Sequence, residues 1–427
     1  MSPFAQRIVA ALVALLLVAG VAFLTLWGMG VEVGLGPRTP EPSPTATASP
    51  TPAATGSAAP VASGDPQVVF AEIEGQVRAI RLLEAPDIAP AELIGRAALE
   101  DELRASFDAD YPQERRDADN VTLRALGLLD EDQDVAELQL QLLSDQVIGF
   151  YDDTERRMVV VSDTGADATA RITYAHEYTH ALQDGAFGLD SLETDAIGQD
   201  DRNLARISLV EGDASLTMVL WAIANDPAGL GEVARGPVPD MSGIPPWMVA
   251  QLSFPYEAGA NFVAELYQNG GFDAVDAAFE DPPSSTEQIL HFDKYLDGEA
   301  PLAVAEVDLA TALGAGWTAV PSTTLGEGLI AIWLEHLGAE PGDAADAASG
   351  WGGDRVSVAS GPDGAVALTL RIAFDAPVHA DDFERAYGPL VDGLPFPARL
   401  ERLGTDELLV VQASDEALLD TLVDAAG

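Results

Sequence analysis

The sequence predicts an α+β protein: a mainly helical body with a small β-hairpin or sheet near its middle, then a small C-terminal α+β unit. Three observations carry this. Apolar residues recur at helical spacing through much of 68–268. The period shortens to β-prone runs only at 146–151 and 158–162. From 325 onward, short helical and strand patterns are mixed. The 427 residues suffice for two or three domains, and an apolar fraction of 48% is ample for their cores.

The first segment, 8–27, reads IVAALVALLLVAGVAFLTLW and carries no charge. At about 1.5 Å per residue it spans a ~30 Å hydrocarbon layer. Arg7 precedes it, so 1–7 is expected on the cytoplasmic side. No A-x-A cleavage pattern follows, which favours a single-pass signal-anchor in the cell membrane over a cleaved signal sequence. Either reading exports the remainder. Residues 28–66 form a linker whose Pro/Thr/Ser/Ala-rich part has almost nothing to bury; it is expected to act as a semi-extended tether.

The body is expected over 67–315. Helical spacing marks 68–83, 90–105 and 135–143. The run Asp130-Glu131-Asp132-Gln133-Asp134 resembles the start of a calcium loop, but Val135 stands where glycine is needed and Gln141 where a bidentate glutamate is needed. It reads instead as an acidic helix start. The β-prone runs flank the polar turn Asp152-Asp153-Thr154-Glu155, a hairpin pattern; the second run precedes a helix expected over 167–184, with Gly185 as its stop. A strand at that place could pair with an extended peptide. Helices at 202–224 and 259–268 follow, with 226–258, broken by Pro and Gly, wrapping the surface. The C-terminal unit is expected over 316–427. It comprises a helix at 325–337, an Ala/Gly/Asp loop, strands at 355–359 and 366–374, and a helix at 381–390. Strands at 398–402 and 408–412 and a final helix from Asp415 complete it.

Composition excludes several chemistries. Asp and Glu number 70 against 21 Lys and Arg, a net charge of −49 that repels nucleic acid. The absence of cysteine rules out disulfides, thiolate ligands and a cysteine nucleophile. There is no G-x-S-x-G, and Lys294, the only lysine, lacks the glycines of a phosphate loop.

One pattern carries chemistry: His176-Glu177-Tyr178-Thr179-His180. Histidines four apart on a helix share a face, and two neutral imidazoles so placed can grip one Zn²⁺. Glu177 between them can activate a water as general base. A third ligand is required. The H-x-x-G-x-x-H extension of metzincins fails, because Gln183 and Ala186 occupy its glycine and histidine places. Glu211, in Leu209-Val210-Glu211-Gly212-Asp213-Ala214, is the better candidate. A carboxylate among apolar neighbours is costly to bury without a cation. Asp184 and Asp213 are candidates to orient the imidazoles.

His176, Glu177 and His180 with the downstream Glu211-Gly212-x-Ala214 resemble the gluzincin class of zinc metallopeptidases. The segments AHEYTHALQD at 175–184 and LVEGDA at 209–214 are similar to those of a family of exported bacterial metallopeptidases. A further likeness lies in Ser285-Thr286-Glu287-Gln288-Ile289-Leu290-His291-Phe292-Asp293-Lys294-Tyr295, where Phe292 replaces the family's proline. The resemblance covers about 67–300, with a further likeness at Gly350-Trp351-Gly352-Gly353-Asp354-Arg355. It implies a zincin-like catalytic domain, Zn²⁺ held by His176, His180 and Glu211, and hydrolysis of peptide or protein substrates of the cell envelope. His291 or Tyr295 would stabilise the oxyanion. Ser215 stands where gluzincins often place an acidic residue beside the ligands. A non-catalytic binding or sensor module on the same fold, or a zinc amidase acting on cell-wall peptides, stays open at this point. His336 and His379 read as ordinary histidines.

Overall fold

The computed structural model describes residues 65–146, 149–161, 165–236, 241 and 243–427. The predicted anchor at 8–27 and nearly all of the linker at 28–66 lie outside the described residues. The chain is α+β, with one three-stranded and one five-stranded sheet among the described residues.

The body opens with α1 (Pro66–Arg81), capped by Asp65, whose side chain accepts from the Gln67 amide at 3.0 Å. Next come β1 (Glu92–Ile94), α2 (Arg96–Asp110), α3 (Gln113–Ala125) and α4 (Val135–Gln146). Asp134 caps α4, accepting from Ala136 and Glu137, as an acidic helix start should. The hairpin is β2 (Gly149–Asp152) and β3 (Arg157–Val161). β1 pairs parallel to β3, giving the order β1-β3-β2 with β2 at an edge. Long helices α5 (Ala168–Phe187), α6 (Asp200–Asn225) and α8 (Pro246–Gly270) form the centre, with α7 (Pro227–Val233) between the last two. Helices α9 (Phe272–Glu280), α10 (Thr286–Leu290) and α11 (Phe292–Asp297) close the body.

Helices α6 and α8 touch backbone to backbone. A Cβ on Gly212 would overlap the Gly259 carbonyl, and one on Gly259 would overlap the Ser208 carbonyl. Only two glycines at the crossing allow this approach. Among the described residues, α6 is the one helix long and apolar enough to cross a membrane, yet it is mostly buried inside the protein. It is a core helix here.

The C-terminal unit comprises α12 (Leu309–Leu313), β4 (Thr318–Thr323), α13 (Gly326–His336), α14 (Pro341–Ala348), β5 (Trp351–Ser360) and β6 (Val366–Phe374). It continues through α15 (Pro377–Tyr387), β7 (Ala398–Arg402), β8 (Glu407–Ala413) and α16 (Leu419–Ala426). Its antiparallel sheet runs β4-β5-β6-β8-β7. Strand alternation sends Val356, Leu368, Leu370 and Val410 into a core with α13, α14 and α15. Ala367, Leu409 and Val411 face Leu309, Leu419 and Leu422 on the other side.

Four sequence expectations need correction. The helix expected over 90–105 begins with β1, because Leu93 and Ile94 complete the sheet beside Val160 and Val161. The helix expected over 167–184 runs past Gly185 and ends at Gly188, which takes the left-handed conformation. Residues 226–258 do not simply wrap the surface: α7 and the first half of α8 lie there, and buried Trp247, Met248 and Leu252 recur at helical spacing around Pro255. Tertiary burial outweighs the donor that proline removes. The Ala/Gly/Asp loop contains α14, which packs Ala344, Ala347 and Ala348 into the core.

A buried polar seam joins the two units where the Gly328 amide of α13 donates to the Thr286 hydroxyl of α10 at 3.0 Å, and each side of it is anchored by a buried acid. Asp201, near the start of α6, accepts from the Thr286 amide at 2.8 Å and the Thr286 hydroxyl at 2.6 Å. Asp354 accepts from the Leu325 and Gly326 amides, at the start of α13, and from the Trp351 indole at 3.0 Å. Burial pushes the Asp201 carboxyl up to about 8, despite the Thr286 hydrogen bonds. A carboxyl raised on folding favours the folded state at low pH. That contribution is complete below its ordinary value near 4 and is lost as pH rises through 8. Asp201→Asn mimics the protonated group. Melting curves from pH 4 to 8 should therefore show the variant gaining on the wild type as pH rises.

Candidate metal centre

The site begins with the register of α5. Asp167 caps the helix, accepting from the Ala170 amide at 2.9 Å, and every residue from Thr173 to Asp184 is buried. His176 and His180 lie one turn apart with their Nε2 atoms 3.1 Å from each other. From α6, Glu211 brings Oε2 to 3.2 Å from His176 Nε2 and 3.4 Å from His180 Nε2. Zinc bonds of about 2.0–2.1 Å at tetrahedral angles place donor atoms about 3.3 Å apart, so the three atoms span one face of such a tetrahedron.

Hydrogen bonding decides which atoms are bare. The Gln183 amide nitrogen donates to the Val210 carbonyl at 3.0 Å and to Asp213 Oδ2 at 2.8 Å. Its oxygen must then face His180 Nδ1, 2.9 Å away, so that nitrogen carries the proton. In the neutral ring, His180 Nε2 would then present its lone pair toward His176 and Glu211. Asp213 is held in turn by Arg81, whose Nε donates at 2.8 and 3.0 Å; both side chains are fully buried. His176 Nε2, His180 Nε2 and Glu211 Oε2 thus converge in a buried space, an arrangement that a cation stabilises. The residues present fit Zn²⁺.

The charges of the cluster act strongly on one another. Burial alone would raise Glu211, but the two imidazoles outweigh it and hold the carboxyl at about 2. Burial lowers His176; for His180 the carboxylates of Glu211 and Glu177 overcome burial and raise it to about 9.

Glu177 occupies the other side of the cleft. Its Oε2 accepts from the Tyr151 amide on edge strand β2 at 3.0 Å, while Oε1, buried, has no hydrogen-bond partner. Burial pushes its carboxyl up to about 8. The cleft is lined by Tyr151, Glu177, His180 and Glu211, with Leu189, Leu192, Ile207 and Val210 as an apolar wall. The strand that can accept an extended peptide is β2, because β3, expected for that role, is the central strand.

Among the residues expected to assist, the structure separates near from far. His291 and Tyr295 do not line the cleft. His291 Nε2 pairs with Glu327 of α13 at 2.8 Å, and Tyr295 donates to the Asp281 carbonyl at 3.0 Å while packing edge-on against Phe262. Lys294, between them, is held by Glu287, Glu299 and Asp375. The three carboxylates could themselves surround a metal, but the ammonium fills that place. The Ser285–Tyr295 segment is thus part of the seam. Asp184 accepts from the Tyr151 hydroxyl at 3.0 Å and does not orient an imidazole; Asp213 reaches His180 only through Gln183. Ser215 is buried with no partner for its hydroxyl. His336 meets the Gly127 carbonyl, and His379 packs on Gly350.

Tyr256 was not anticipated. It sits on α8, buried, with its ring centroid 6.3 Å from that of His176. Burial, Glu211 and Glu177 together keep its phenol protonated far above the ordinary range. Its hydroxyl makes no well-formed hydrogen bond. The helical spacing of Trp247, Leu252, Tyr256, Gly259 and Val263 is the sequence signal that could have found it.

Residues 313–421 match the family described as a domain of unknown function (DUF8575), which covers most of the C-terminal unit. No curated protein matches the chain, and no solved structure does.

Replacing Gln183 by Met keeps its bulk and frees the His180 proton. Zinc affinity, read by competition with a chromophoric chelator, should fall about 10- to 100-fold.

Proposed function

We propose that the chain is a zinc-dependent peptidase of the gluzincin type, working outside the cytoplasm behind a membrane anchor at 8–27. The observation that carries this reading is the pairing of two features in one cleft. His176, His180 and Glu211 offer donor atoms at tetrahedral spacing, and the unpartnered Glu177 Oε1 opens beside them. A purely structural metal needs no such base. When bound, Zn²⁺ would polarise the scissile carbonyl and acidify water.

The chain's own groups account for the other steps. Glu177, ionised, is placed to take a proton from the attacking water at its unpartnered Oε1. It then passes that proton to the leaving amine nitrogen. The Tyr151 amide fixes its other oxygen, so the carboxylate need not reorient between transfers. Tyr256, kept protonated, is the donor for the charge that develops on the carbonyl oxygen, in place of His291 and Tyr295. An extended substrate would add to the outer edge of β2. The apolar run at 8–27 and the tether after it support the extracytoplasmic placement.

Glu177→Gln should keep stoichiometric zinc while peptide hydrolysis falls about 10²- to 10⁴-fold. Glu211→Ala should lose zinc by metal analysis. Wild-type protein that is fully zinc-loaded yet cleaves nothing in a broad peptide library would leave a binding module instead. Tyr256→Phe should lower kcat about 10²- to 10³-fold, with zinc affinity unchanged and KM nearly so.

A further inference from the structure

The segment 189–199 links α5 to α6 and supplies the outer wall of the cleft through Leu189, Leu192 and Thr194. Within the body it has its own ties: Arg206 donates to the Leu192 carbonyl at 2.6 Å and Asn203 to the Ala196 carbonyl at 2.8 Å. Its far end is gripped from the C-terminal unit. Arg355, on β5, donates from Nη1 to the Gly198 carbonyl at 3.1 Å. Gly198 has a φ of 75°, and a Cβ there would lie 2.6 Å from the Ser322 carbonyl of β4. Next along the chain, Asp200 accepts from the Thr323 hydroxyl at 2.8 Å. Strands β4 and β5 therefore hold two nearby points of the chain, Gly198 and Asp200: the end of the wall segment and the start of the helix that bears Ile207, Val210 and Glu211.

We infer that the C-terminal unit serves as the positioning element for the cleft's apolar wall, with Arg355 as the residue that holds it. The wall of Leu189, Leu192, Ile207 and Val210 stands beside Glu177 and the metal donors. It therefore receives an apolar side chain of a peptide adjacent to the bond being cut. This inference rests on the peptidase reading for the identity of the occupant, but not for the clamp itself. Arg355 touches neither donors nor substrate, so it acts through the wall. Its place in the Gly350–Arg355 segment gives that segment a role. Asp354 anchors the first turn of α13 while its neighbour Arg355 reaches across to 198.

The test uses the full-length chain with Arg355→Ala, Arg355→Lys and, as an independent displacement of the same point, Gly198→Ala. Hydrogen exchange is measured on 189–199 and, as a folding control, on β6. Selectivity is measured as the ratio of kcat/KM for two peptides that differ only in Leu or Gly beside the scissile bond. Arg355→Ala and Gly198→Ala should speed exchange in 189–199 about tenfold without changing β6. They should raise KM for the leucyl peptide and cut the Leu/Gly ratio about tenfold, with zinc affinity intact. Arg355→Lys, which restores a single donor, should recover part of both effects. Unchanged exchange in 189–199 in both clamp variants overturns the positioning role, whether or not the protein proves to be a peptidase. Faster exchange with an unchanged Leu/Gly ratio overturns the assignment of the wall as the side-chain site. If the wild type cleaves neither peptide, the peptidase reading and that assignment fall together, and the exchange result alone decides the clamp.

Discussion

Contact between α6 and α8 at Gly212 and Gly259 is the constraint on which the rest of the molecule turns. Ordinary helix pairs keep their axes about 8–10 Å apart, with side chains filling the gap. Here a Cβ on either glycine would strike the other helix's backbone, so the pair closes further than side chains permit. Glu211 precedes Gly212, and Tyr256 lies one turn before Gly259. The crossing that seals the core thus also fixes how far both side chains stand from the histidines of α5. A glycine within a helix costs about 1 kcal/mol in propensity. Burial of the neighbouring Leu209, Phe262 and Val263 offsets it. The Glu-Gly pair at 211–212 is therefore a packing solution as much as a chemical one.

Charge burial follows a similar economy of partners. Arg81 comes from the first helix of the body, yet it ends against Asp213 at the site and Asp276 on α9. Phe272 stacks on its guanidinium, 4.7 Å from the ring centroid. A buried pair like Arg81–Asp213 adds little net stability, because desolvation consumes most of the attraction. Its value is geometric: Asp213 can hold Gln183 in only one orientation, and that orientation sets the His180 proton. The distant seam works in the same way. Asp201 on α6 holds the Thr286 hydroxyl, which accepts in turn from the Gly328 amide of α13, while Glu327 of α13 pairs with His291, so buried acids with specified donors fix how α13 meets the body.

How much of this was readable from the sequence varies by residue. His176, Glu177 and His180 were legible because their spacing is local to one helix. Glu211 was legible because a glutamate between apolar neighbours needs a cation. The hairpin and the alternating strands of the C-terminal sheet carry a two-residue period, and they too could be read. Tyr256 was hidden by Pro255 and the surrounding glycines and prolines, whose local signal says loop while burial says helix. His291 and Tyr295 were misplaced for a different reason. They belong to a segment that matters, but its contacts with Asp201, Glu327 and Asp375 are made across 80 or more residues in two of the three cases. No local pattern encodes such pairings.

Ser215 acquires a meaning once the relay from Asp213 through Gln183 is traced. An acidic residue four positions after Glu211 would sit one turn along the same face of α6. The chain instead places its acid at 213, rotated away from Glu211 and toward α5, and Gln183 fills the space between. A neutral amide, not a carboxylate, therefore accepts the His180 proton. The charge of Asp213 is spent on Arg81, outside the immediate site. Carboxylate acceptors make an imidazole a more basic ligand; an amide does so less. On the proposed reading, the donors then neutralise a divalent ion only through Glu211, and the ion stays more electron-poor. An electron-poor cation is the stronger Lewis acid. On that reading, an acid at 213 that reaches His180 through Gln183 would shift strength from metal binding toward substrate polarisation, and the α6–α8 crossing would supply the rigidity of the site.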